Sequence, residues 1–139
     1  MARRGSYAKG VAKRDEVDTA AFDITGDQPI EAFFGVIRHN SEVPGLVQLY
    51  AQLSTEACDP AHPAHAFFVD RYNRFRSLFG GMIRDEQAAG RIDPSLDPDR
   101  IVNLFLAAAD GLQTQWMLDP TIDMSAHVAY LWHLVTRTS

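Results

Sequence analysis

Residues 97–120, DPDRIVNLFLAAADGLQTQWMLDP, decide how this chain folds. Asp97, Pro98 and Asp99 make a strong helix start. They supply a polar cap, a proline in the first turn, where its missing N–H costs nothing, and a carboxylate against the positive end of the helix dipole. Ile101, Val102, Leu104, Phe105, Leu106, Ala107, Ala108, Ala109, Leu112 and Trp116 then leave almost no polar face before Asp119 and Pro120 stop the helix. A helix that is apolar all round is buried all round. In a chain of 139 residues one flank of this helix can meet the core, and something else must cover the other.

Helical spacing continues on both sides. After it, Asp123 caps a pattern over 124–137 with Val128, Leu131, Trp132 and Val135 on a common face. Before it, Ala64, Phe67, Phe68, Tyr72, Phe75, Phe79, Met82 and Ile83 define the clearest helix, over 63–89, with Gly90 as its stop signal. The Gly80-Gly81 pair inside that pattern costs roughly 1 kcal/mol per glycine against alanine and suggests a close helix contact or a kink. Leu46, Val47, Tyr50 and Leu53 mark a helix that starts at Pro44 and ends before Asp59-Pro60. Asp27, Gln28 and Pro29 start another, with Ile30, Phe33, Phe34 and Ile37 on one face and a break at residues 39–41. A short helix is expected over 11–22. No segment alternates like a strand. The expected fold is an all-α bundle of about five to six helices.

The composition, 46% hydrophobic, 22% charged and 10% aromatic, is that of a folded domain. No apolar run is long enough to span a bilayer, and no signal-like apolar stretch follows the positive N-terminus. Cys58 is the only cysteine, so no internal disulfide can form, and a cytoplasmic location is expected, with no membrane partner. Charge is unevenly placed. Residues 1–16 hold five of the 13 basic residues but two of the 18 acidic ones, and read as a basic arm ahead of an acidic body over 17–139. Arg3, Arg4 and Lys9 in that arm could meet phosphates; the body should repel nucleic acid. The arginine- and alanine-rich usage hints at a bacterium with a GC-rich genome.

The chain offers little for catalysis. It has no phosphate-cradling glycine loop, no nucleophile elbow, no metalloprotease helix and no paired Glu-x-x-His signature, so neither enzyme activity nor a cofactor is expected. His62 and His65, three apart and just after Asp59, have a spacing that can share a metal. No further ligand accompanies them, and a polar helix start is the better reading. Cys58 lies between Glu56 and Asp59, whose charges oppose thiolate formation.

Several segments, in order over residues 17–139, resemble the sensor domain of TetR-like transcriptional regulators. Residues 110–120, DGLQTQWMLDP, resemble the end of that domain's penultimate helix; 43–57, from VPGLVQLY to EA, an early sensor helix; and 62–72, HPAHAFF with Arg71 and Tyr72, the start of the long central helix. Residues 2–10, ARRGSYAKG, are similar to the arm that precedes the DNA-binding domain. The three-helix unit that carries the helix-turn-helix has no counterpart, because residues 13–17 run from the arm into what resembles the sensor's linker helix.

The resemblance implies a repressor-type regulator whose last two long helices pair with those of a second copy. A homodimer is therefore expected, with Leu106, Ala109, Gln113, Trp116, Val128, Leu131, Trp132 and Val135 at its interface. It also implies a small hydrophobic effector held in the bundle. Phe34, Tyr50, Phe68, Tyr72, Phe75 and Phe105 are the candidate lining, and Gln48, Asn103 and Gln113 the candidate polar contacts. Aromatics at helical spacing also simply fill cores, and that reading stands beside the first. DNA is a partner only where a helix-turn-helix is present, since base reading needs an element in a groove. The alternative is an interaction module that pairs with a full-length regulator and silences it.

Overall fold

Capping sets the limits of the two C-terminal helices. Asp97 is extended, and its Oδ1 accepts from the backbone N–H groups of Asp99 at 2.9 Å and Arg100 at 3.4 Å. Asp123 does the same for its helix, accepting from Ala126 N–H at 3.0 Å. Each aspartate satisfies amide groups that the first turn leaves without partners. The computed structural model describes residues 45–137, together with Gly35, His39 and Glu42. Four helices run through them: α1, Leu46–Glu56; α2, His65–Ala88; α3, Pro98–Leu118; and α4, Met124–Thr136. No strand occurs among the described residues, so this part of the fold is all-α. The basic arm, the helix expected over 11–22 and most of that over 27–37 lie outside the described residues, although Gly35 and His39 both have helical backbone.

α2 ends as the sequence expects. Gly90 takes the left-handed conformation, with φ of 78°, and the N–H groups of Arg91 and Ile92 fold back onto Glu86 O. The α2–α3 connection is then pinned from several directions. Arg91 makes a two-point ion pair with Glu86 at 2.7 and 2.8 Å, Gln87 Nε2 donates to the carbonyls of Asp93 and Leu96, and Ile92 is buried beneath them. The glycine pair does not break α2, which runs unbroken for 24 residues. Gly80 is where Arg84 folds back: an added Cβ would stand 3.0 Å from Arg84 Nη1. From there Arg84 reaches Asp99 at the start of α3, 3.0 Å away.

α3 is the helix the others lean on, since α1, α2 and α4 each pack against it. The main core joins Phe75, Phe79 and Ile83 of α2 to Ile101, Val102, Phe105, Leu106 and Leu112 of α3 and Met124 and Val128 of α4. A smaller cluster at the α1–α2 corner joins Leu53, Ala57, Ala64 and Phe68. Each fully buried aliphatic side chain of this kind contributes roughly 1.5–3 kcal/mol.

Candidate functional site

Where α1, α2 and α3 meet, aromatic rings surround a small polar group. Tyr50 of α1 packs edge-on against Phe68 of α2, with ring centroids 5.3 Å apart. One turn on from Phe68, the Arg71 guanidinium lies over two rings, 4.8 Å from the centroid of Tyr50 and 4.6 Å from that of Phe75. The Tyr72 hydroxyl donates to the Asp110 carboxylate across the α2–α3 contact. Arg76 lies over the Tyr72 ring at 5.5 Å and donates from Nε to Asn103 Oδ1 at 2.8 Å.

The electrostatics follow from burial. Loss of water pushes the Asp110 carboxyl above the usual aspartate range, while the Tyr72 hydrogen bond and the charge of Arg71 pull it partly back. Tyr72 is raised well above an ordinary phenol, first by burial and then by its bond to Asp110. The phenol therefore keeps its proton and serves as a donor at any physiological pH.

This arrangement brings together four residues expected to line a pocket: Tyr50, Phe68, Tyr72 and Phe75. Asn103, a predicted polar contact, joins it only at the rim, through Arg76, and the remaining expected residues are not brought in. Gln48 and Asn103 are exposed, and Gln113 is half-buried on α3. Phe34 lies outside the described residues. Phe105 belongs to a different feature, an apolar cleft between α2, α3 and α4 lined by Phe79, Met82, Ile83, Val102, Phe105, Leu106 and Trp132. It is small, about 10 Å³, room for about one water-sized sphere. Trp132 closes it edge-on to Phe105, with centroids 6.0 Å apart. The residues that sequence reasoning left out of the site are Asp110, Arg71 and Arg76. Asp110 did carry a signal: it is the lone charge of this apolar helix beyond its first turn.

All the residues expected at a dimer interface are buried or half-buried within this chain. Leu106 and Val128 are buried in the core of this chain, and Ala109, Trp116, Leu131, Trp132 and Val135 are half-buried against it. Gln113 lies on the same inward half of α3. The opposite face of α3 carries Leu104, 64% exposed, and Leu118, 84% exposed, with exposed Ala107 and Gly111 between them. At Gly111 an added Cβ would meet nothing within 4 Å. α4 likewise turns Tyr130, 63% exposed, and Leu134 outward.

At the α1–α2 corner, His65 Nδ1 lies 2.7 Å from Ala57 O, and His62 Nε2 faces Glu56 Oε2 at 3.6 Å. Asp59 Oδ1 accepts from Ala61 N–H at 2.9 Å. Among the described residues no group of three or more His, Cys, Asp or Glu side chains is placed to hold a metal. Cys58 is exposed, its thiol donating to Ser54 O at 3.5 Å. Among the described residues, no helix is long and apolar enough to cross a membrane. No protein-family model, curated protein or solved structure matches the chain.

Proposed function

We propose that this chain is a dimerising sensor domain of transcriptional-regulator type, with an interior that takes up a small apolar effector. One observation carries the reading: the outward face of α3. α3 packs against three helices on one side and still leaves Leu104, Ala107, Gly111 and Leu118 in water on the other. Isolated exposed leucines are ordinary, but a leucine–small–small–leucine stripe on the central helix of a bundle is the surface a second helix would cover. Closed two-fold pairing is the commonest solution, because one patch then covers itself. The homodimer in this reading is built on the outward residues, and Trp116, Leu131, Trp132 and Val135 support them from behind.

The effector enters through the cleft at Phe105 and Trp132, whose lining is aliphatic, thioether and aromatic. Its small volume means that Trp132 and Met82 move when it binds, so occupancy favours one placement of α4 against α2. Titration with the uncharged probe N-phenyl-1-naphthylamine tests this part. Saturable probe fluorescence with quenching of tryptophan emission is expected, and Phe105→Ser should weaken it about tenfold or more. Absence of any uptake, or uptake indifferent to Phe105, contradicts an effector site in the cleft. Mass measurement of the native protein tests the dimer separately.

A further inference from the structure

His62 closes the corner between α1 and α2, and its two ring nitrogens face partners that favour different proton states. Its side chain is buried, 8% exposed. Nδ1 accepts from the backbone N–H of Ala64 at 3.1 Å. Ala64 is the N-cap of α2 and has no side-chain oxygen with which to cap it. A ring nitrogen that accepts carries no hydrogen, so the neutral ring holds its proton on Nε2. That nitrogen is buried, without a hydrogen-bond partner among the described residues, and looks towards the Glu56 carboxylate at the end of α1, 3.6 Å away.

Adding a proton reverses the preference. The imidazolium has hydrogens on both nitrogens, so Nδ1 can no longer accept and stands N–H to N–H with Ala64. Glu56 attracts the new charge. Among the described residues of the corner, Asp59 holds Ala61 N–H, His65 holds Ala57 O, and Cys58 turns to Ser54 O. We propose that His62 is a proton-driven switch of the α1–α2 corner. Neutral, it ties down the amide of Ala64; protonated, it releases that amide and turns to Glu56. Ala57 and Ala64 pack in one cluster with Leu53 and Phe68, so release of the corner also loosens the seating of Phe68 against Tyr50.

Histidine is the side chain whose charge ordinarily changes between pH 5 and 8. The test is NMR on the full chain from pH 7.5 to 5, reading the ring nitrogens of His62 and the exchange protection of Ala64 after correction for intrinsic rates. The Nε2–H tautomer is expected at pH 7.5. Protection of Ala64 should fall roughly fivefold on acidification, the worth of about one hydrogen bond. In His62→Asn a side-chain oxygen can accept from the amide two residues on, as Asp59 does for Ala61, yet cannot titrate. Its Ala64 protection should stay level. An Nδ1–H tautomer at pH 7.5, unchanged wild-type protection down to pH 5, or the same acid loss in the asparagine variant each overturns the proposal. The tautomer reading needs no variant, so the test survives a substitution that fails to fold.

Discussion

Asp110 and Tyr72 make up a polar contact inside an apolar helix pairing, and their ionisation has a definite sign. Burial raises the Asp110 carboxyl in the folded state, so its contribution to stability is full below the unfolded value, near 3.8, and is lost as pH rises through the higher folded value. Asp110→Asn removes that loss while keeping an acceptor for Tyr72. Thermal unfolding should show the variant gaining on wild type as pH rises from 4 to 7.5, with the two closest at the acid end. A gap that widens towards acid would mean that Arg71 and Tyr72, rather than desolvation, dominate the carboxyl. Tyr72→Phe acts the other way: it leaves Asp110 without its phenol donor and should cost roughly 1–3 kcal/mol in denaturant unfolding at neutral pH. The aromatic members of this site were legible from their spacing along α1 and α2. The pairing of Tyr72 with Asp110 was not, because the two are 38 residues apart in sequence and only the helix crossing joins them.

At the scale of single helices, the ends were readable and the faces less so. Asp97, Asp123 and Gly90 each do what their chemistry suggests, since a cap depends on a few neighbouring residues. The common face of Val128, Leu131, Trp132 and Val135 on α4 was also legible from helical spacing, with His127 and His133 off that face. α3 is the opposite case. With apolar residues all round, its periodicity carries no phase, and the inward Leu106, Ala109 and Trp116 could not be told from the outward Leu104, Ala107 and Leu118. Packing of three neighbours chose the phase. The glycine pair of α2 separates in the same way. Gly81 has open space where a Cβ would go, so Gly81→Ala should stabilise by roughly 0.5–1 kcal/mol, read as a higher denaturation midpoint with unchanged slope. At Gly80 the same change pushes on Arg84 and its exposed bridge to Asp99, and its gain should be smaller.

For the whole molecule, the question is what lies on the outward face of α3. The core beneath it is well filled: Ile83, Ile92, Val102 and Val128 are almost entirely enclosed. Ile83→Ala should therefore cost roughly 2–5 kcal/mol of stability without altering assembly, which separates folding from association. Leu104→Glu combined with Leu118→Glu places two charges where an apolar partner surface would sit, while touching nothing in the core. The deciding measurement is sedimentation equilibrium of the wild-type chain beside the Leu104→Glu, Leu118→Glu double variant. The account predicts twice the chain mass for the wild type and a folded, helical monomer for the variant. A monomeric wild type, or a double variant that remains fully dimeric, would contradict it.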